Sequence, residues 1–587
     1  MKKTLIFLLV AALCLPLLSA CADTGTNATY AEDASVKSVT IDGTDLAEFH
    51  ILYSEEDGST VKKGAEDLAK YIKLATGLEL PVTTDASAKG KRIAVTTTEE
   101  DTENYSYKSD ENGVTISGGK TRGAMYGAYG FLEECLGLRF LAPDTDYVIP
   151  SEGIELNALD RTYTQYFENR NTYWACAFDN EFSVKRMQNA GQGNNRAIPE
   201  ELGGSIFYTG KLCHTINDLA EVSIEGQQPC FCDEEVYQTT LKNVRKLLEE
   251  NPDAKLISVS QMDKSKFCRC DECTKVIREE SSYMGTVLRF VNRIAEDIKD
   301  DYPNVLIHTL AYLDTVKAPA QTVPAENVVI QYCTPEASCL YSLKTDCKTN
   351  RNVVKVLEDW GKICNRVYIW DYYADFSCFL WLFPNFNVIR DNAQFYVEHG
   401  VAGYFSEGNY KKAGGEFSEL RAYLTTLVMK DPYISEEDWD KEIDTFMQGY
   451  YGAGWEKIRA FYDHMMDCLP EEDILAQALP RTLLNYDKFA ANMDEMVAWF
   501  DEAESLAGDE TTLGHVKMLR ISLDLIRLGL IYDNEYETAD EARQAEIMAE
   551  LTDLTNRITA ADVQYAEFLY KHNNPAPEEI VSGPFDW

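Results

Sequence analysis

The chain has 587 residues, 45% of them hydrophobic, with 34 tyrosines, 24 phenylalanines and 8 tryptophans, a composition of packed globular structure and not of a disordered segment. That length exceeds one ordinary core, so two or three domains are expected. With 97 acidic against 55 basic residues the formal net charge is −42, which argues against nucleic acid or anionic lipid as partner and makes a neutral substrate easier to accommodate.

Lys2 and Lys3 precede an apolar run from Leu5 to Leu18, and small residues follow in Leu18-Ser19-Ala20-Cys21. This is the layout of a bacterial lipoprotein signal: residues 1–20 are removed and Cys21 becomes the lipidated first residue. The run is too short for a permanent span, so the protein is expected outside the cytoplasm, on a cell surface or periplasmic membrane face, touching the membrane only through its lipid. An ordinary secretory signal with a chance cysteine is the alternative. Residues 21–35 are small and polar and read as a tether.

From 36 to 158 the pattern predicts a small α/β domain, with strands at Ser38–Ile41, Ile93–Thr97 and Gly113–Ser117 and helices at about 62–76 and 121–136. The first helix carries Leu68, Tyr71, Ile72 and Ala75 on one face and stops at Gly77, a natural left-handed terminator. The second is rich in small residues that allow close packing on a sheet. Between 159 and 431, strand-like runs recur at Gln165–Trp174, Ser205–Cys213, Lys255–Gln261, Val305–Tyr312, Val328–Cys333, Val367–Tyr372 and Val401–Ser406, separated by helical patterns such as 282–299. Seven or eight such units predict a parallel (β/α)8 TIM-like barrel. From 432 to 587 only helical spacing remains, over 437–449, 455–468, 485–506, 511–532 and 538–571.

In a barrel of this kind the chemistry sits at the C-terminal strand ends, where Asp263, Glu336, Asp371 and Glu407 fall. Paired carboxylates supply what glycoside hydrolysis needs: an acid for the leaving oxygen and a partner that activates water, attacks or orients the substrate. Glu336, Asp371 and Glu407 are therefore expected to converge as catalytic groups, with Glu336 or Glu407 as the acid and Asp371 orienting the attacking group. Arg170, Trp174, His214, Gln261, Asp263, Tyr312, Trp370, Tyr373 and Asn409 would line a substrate cup of aromatic walls and hydrogen-bonding tips. Each also has an ordinary reading as a helix cap, an ion-pair partner or core packing. Elbow, zinc-protease and phosphate-loop motifs are missing from the sequence, and no cofactor is required for this chemistry.

Cys268, Cys270 and Cys273 form a C-x-C-x-x-C run, with Cys230 or Cys232 upstream as a fourth ligand. A structural zinc site, a pair of disulfides and a buried thiol cluster are all compatible with that spacing.

The runs ISVSQMDKSKFCRCDEC, LRFVNRIAEDI, VYIWDYYADF, FPNFNVI, GYFSEGNY and GGEFSELRAYL, in this order over about 165–450, resemble the family first named domain of unknown function 4838, which corresponds to glycoside hydrolase family 163. AEDLAKYIKLATGLELPV and RGAMYGAYGFLEECLGLRFLAP look like the accessory domain that precedes the barrel in β-hexosaminidases and α-glucuronidases. The resemblance implies a secreted endo-β-N-acetylglucosaminidase whose partner is an oligosaccharide or glycoprotein glycan, with the substrate's acetamido group as an alternative nucleophile. Two departures bear on specificity: Gln261-Met262-Asp263 stands where relatives carry QND, and Ser406-Glu407-Gly408-Asn409-Tyr410 where an EQGNY-like run is expected. An exo-acting hexosaminidase or α-glucuronidase, and a non-catalytic glycan-binding lipoprotein, are the other readings.

Overall fold

A computed structural model describes residues 29–190, 198–471, 474 and 482–563. The signal, Cys21 and most of the tether lie outside the described residues, as does the expected helix beyond 563.

The accessory domain is a six-stranded mixed sheet, in spatial order Asp160–Tyr163, Tyr105–Asp110, Gly113–Gly118, Lys91–Thr97, Phe49–Tyr53 and Val82–Thr83. Its last strand, Asp160–Tyr163, lies just past the expected boundary at 158. Val39–Ile41 joins a separate three-stranded sheet with Ile154–Leu156 and Thr44–Asp45. Helix Ser59–Thr76 ends at Gly77, whose φ of 77° suits a residue without a Cβ and lets its N–H reach the Lys73 carbonyl. Helix Gly123–Leu136 rides close on the sheet because it is glycine-rich: a Cβ at Gly130 would fall 2.4 Å from the Tyr105 hydroxyl and one at Gly127 2.7 Å from Ile116.

The central unit is a curled parallel sheet of seven strands: β1 (Asn169–Tyr173), β2 (Tyr208–Thr209), β3 (Leu256–Ser258), β4 (Leu306–Ala311), β5 (Val328–Cys333), β6 (Val367–Tyr372) and β7 (Val401–Glu407). Their spatial order is β1-β7-β6-β5-β4-β3-β2. β2 and β3 are shorter than the sequence patterns suggest. Between β1 and β2, where the described residues form no eighth regular strand, Asn189 and Ala190 donate their N–H groups to the Arg170 carbonyl at 3.3 and 3.2 Å, and Ile206 N–H reaches the Asn189 carbonyl at 2.8 Å. Side chains alternate across each strand. One set faces into the curl, including His308, Gln331, Trp370, Tyr372 and Glu407; the other, including Arg170, Asp371 and Tyr404, meets the surrounding helices and loops. Burial pushes the interior His308 down to about 4, so it is a neutral partner for the Gln331 side chain at neutral pH.

Helices Glu436–Tyr451, Trp455–Asp467, Met493–Leu506, Glu510–Glu535 and Glu541–Ala560 form the C-terminal region. They share one continuous apolar core with the central sheet. The expected single helix at 485–506 is interrupted after Tyr486–Ala490.

The accessory domain is joined to the sheet by a buried charge cluster. Glu103 accepts from Arg122, from Arg170 on β1 and, at 2.9 Å, from the Asn189 side chain. Although burial opposes its ionisation, the two arginines hold the Glu103 carboxyl below the usual range. Nearby, Tyr126 donates to the Gln188 carbonyl at 2.8 Å, and Glu133 takes Arg186 at 2.7 Å and Lys430 at 2.9 Å. Glu103→Ala, which leaves Arg170 buried without its carboxylate, is expected to destabilise the protein by about 3–5 kcal/mol in urea unfolding. A loss below about 1 kcal/mol, typical of exposed pairs, would contradict this role.

Candidate active site

The strand periodicity decides which acids meet. Glu407, the last residue of β7, points into the curl and accepts from the Trp370 indole N–H on β6 at 2.7 Å. Its register partners are Tyr372 and Tyr173, both at C-terminal strand ends. The Tyr312 phenol lies beyond β4; burial first, then charges that include Asp263 and Glu407, raise its pKa. Burial, Glu407 and Asp263 together push the Cys213 thiol up to about 12. The Cys333 thiol and the Tyr372 phenol are raised well above their usual values, chiefly by burial and then by charges that include both Glu407 and Glu336. Glu336 itself is open to solvent, yet the walls around it desolvate its carboxyl and raise its pKa. The His214 ring lies 6.4 Å from that of Tyr312, and its Nδ1 is 2.9 Å from the Gln261 carbonyl.

At the C-terminal end of the sheet Glu407 and Glu336 both act on Cys333 and Tyr372, Glu407 and Asp263 on Tyr312, and Trp370 bonds to Glu407. The chemistry there is a raised, accessible carboxyl, a buried carboxyl fixed by an indole, and phenols kept as hydrogen-bond donors. Cys213 and Cys333 were not foreseen. Both thiols are held protonated by burial, which is poor preparation for a nucleophile.

Several expected site residues lie elsewhere. Asp371 has the opposite parity from Trp370 and Tyr372, and its carboxylate accepts from Tyr396 at 2.6 Å and Thr334 at 3.0 Å in the helix-facing layer. Tyr373 is buried there too, 2.6 Å from the Tyr404 hydroxyl. Arg170, 1% exposed, is consumed by Glu103 and by the Met187 and Phe167 carbonyls. Gln261 is buried and spends its amide N–H groups on the Leu310 carbonyl and Thr315. Trp174 is buried beneath Gly408, where a Cβ would come within 2.1 Å of its ring, so it offers no open face to a sugar.

Trp174 and Asn409 instead wall a closed cavity of about 10 Å³, room for one water, together with Asp375, Glu416 and Arg421. Asp375 Oδ2, Asn409 Oδ1 and Glu416 Oε1 are buried there without a protein partner. Asp375 and Glu416 carried no sequence signal, because neither ends a strand. Burial pushes the Asp375 carboxyl up to about 7. A native carboxyl that holds its proton above the unfolded pKa near 4 makes stability highest below that pKa, with loss as pH rises toward 7. Asp375→Asn removes this dependence. Urea unfolding at pH 4.5 and 7.5 is expected to show the variant gaining on the parent at the higher pH, and an equal difference at both would refute the shift.

A larger cavity of about 980 Å³ lies between the accessory domain and the helices Ser418–Lys430 and Glu436–Tyr451. Its charges are mutually paired, as in Arg139 with Glu442 and Arg186 with Glu133.

The accessory sheet and the curled parallel sheet together have a fold similar to that of a solved glycoside hydrolase. A solved family GH115 4-O-methyl-α-glucuronidase, BtGH115A, with specificity for decorated arabinogalactans, superposes with a TM-score of 0.58 at 10% identity, over 91% of this chain and 79% of that one. Weaker likenesses are a GH138 enzyme targeting pectin rhamnogalacturonan II (TM-score 0.48, 11% identity, 92% and 96% covered) and CpGH84B (0.45, 10%, 96% and 99%). Residues 45–133 match the family described as glycosyl hydrolase family 20, domain 2. Residues 143–463, more than half of the sequence, match the domain of unknown function DUF4838, and the chain belongs to that family. No curated protein matches it. The domain content and architecture support a glycosidase.

Proposed function

We propose that the protein is a glycoside hydrolase of family 163 that cleaves glycans as an endo-β-N-acetylglucosaminidase, on a central barrel whose eighth position is filled by Asn189 and Ala190. The observations that support this reading are that Glu336 and Glu407 both act on Cys333 and Tyr372 at the C-terminal strand ends, and that Trp370 holds Glu407 there. Glu336, accessible and with its pKa raised, is the general acid: its proton passes to the glycosidic oxygen as the bond from that oxygen to the anomeric carbon breaks. Glu407, held by the Trp370 indole, orients the attacking water or the substrate's acetamido oxygen, the role that Asp371 cannot fill from the opposite face. An α-glucuronidase would need a cation for the uronate. The one arginine expected in the cup, Arg170, is committed to Glu103.

Incubation with N-glycosylated proteins and a panel of aryl glycosides, followed by mass analysis of products, is expected to release N-glycans cut within their core. Glu336→Gln and Glu407→Gln are expected to lower kcat by about 10²- to 10⁴-fold with the fold intact. Asp371→Asn is expected to lower stability more than turnover. Full activity in both glutamine variants would remove the proposed site.

We further propose export and tethering through Cys21. Among the described residues no helix is long and apolar enough to cross a membrane. Cys21→Ser is expected to move the protein from the membrane fraction to the soluble one; unchanged membrane association would contradict lipidation.

A further inference from the structure

Two short segments far apart in sequence bring their cysteines to one point. Cys230, Cys268, Cys270 and Cys273 place their sulfurs within 4.8 Å of one another. Cys230 Sγ is almost equidistant from two others, at 3.8 Å from Cys270 and 3.6 Å from Cys273. A tetrahedron of thiolates around zinc, with bonds of about 2.3 Å, has sulfur–sulfur edges of about 3.8 Å. Disulfides would instead pair each sulfur with a single partner at about 2.05 Å.

The backbone suits an anionic centre. Cys270 caps the helix Asp271–Glu280, its sulfur accepting the Cys273 N–H at 3.4 Å, so the positive end of the helix faces the thiolates. In a strongly acidic chain the stretch 263–280 is balanced, with Lys264, Lys266, Arg269, Lys275 and Arg278 against Asp263, Asp271, Glu272, Glu279 and Glu280. Cys273 is buried while Cys270 is exposed, which leaves a route from solvent. All-sulfur ligation selects zinc over calcium or magnesium.

We propose that these four cysteines hold one structural zinc ion, and that this ion fixes the loop carrying Asp263. The link is Gln228, two residues before Cys230. Its side chain donates to the Met262 and Lys264 carbonyls at 2.6 and 2.7 Å and accepts the Met262 N–H at 2.9 Å, straddling Asp263. Zinc ties the Gln228–Cys230 segment to the Cys268–Cys273 turn, closing the loop at both ends. The assignment stands on the sulfur geometry and does not depend on the reaction catalysed.

Elemental analysis of the exported protein, purified without chelator, is expected to give one zinc per chain. Exchange for cobalt should produce thiolate-to-cobalt charge-transfer absorption and the visible bands of a tetrahedral ion. Cys270→Ser, at the exposed corner, should lose most of its zinc to a chelator under conditions in which the parent and Cys364→Ser retain theirs. If Cys270→Ser does not fold, the cobalt spectrum of the parent decides. Metal-free protein with disulfides among these cysteines by peptide mass mapping overturns the proposal, as does full zinc retention in Cys270→Ser.

Discussion

A single buried carboxylate, Glu103, sets the geometry on which the rest of the molecule is built. It comes from the accessory domain but satisfies Arg170 on the first strand of the central sheet and Asn189 in the segment that spans the gap to the second. Asn189 in turn receives the Arg170 backbone N–H at 2.9 Å. Desolvating three charged groups is costly, and the cost is met because every one of them finds a partner of opposite sign or a carbonyl. The first strand and the segment that follows it are therefore braced from outside, by a different domain.

Strand parity, the next constraint, separates what the sequence makes legible from what it does not. Strand positions from Val328 to Val401, the terminal Gly77, the glycine-rich second helix and the helices described after residue 432 could all be read from periodicity and residue chemistry. The orientation of individual side chains could not. Strands buried on both faces, such as β5, carry no hydrophobic alternation to mark inside from outside. Asp371 and Glu407 look equivalent as acids at strand ends, yet one meets Tyr396 on a helix and the other Trp370 inside the curl. Arg170 reads as a substrate ligand until its partner, 67 positions upstream in another domain, is known. Ion pairs between domains leave no local trace in a sequence.

The two glutamates proposed for catalysis sit in unlike surroundings. Glu407 is nearly buried and anchored by an indole, whereas Glu336 is exposed, with its carboxyl raised by partial desolvation. Unlike surroundings give like groups different proton affinities. The neighbouring Asp375–Glu416 cavity shows the same physics without access from solvent: carboxyls whose burial favours the neutral form, arranged around a space the size of one water.

The pairing of β1 with β7 has a consequence for how the chain is made. The apolar core of the accessory domain takes in residues as far as Leu202, and β1 lies within that span, but its hydrogen-bonding neighbour is the last strand of the sheet to be synthesised. N-terminal domains fold as units while the remainder is still emerging. The nascent chain thus passes through a long interval in which β1 can dock on Glu103 while its far edge has no strand to pair with. That edge is the point most exposed to wrong association in the growing chain, and early docking on the accessory domain is what shields the other side of the strand until Val401–Glu407 arrives.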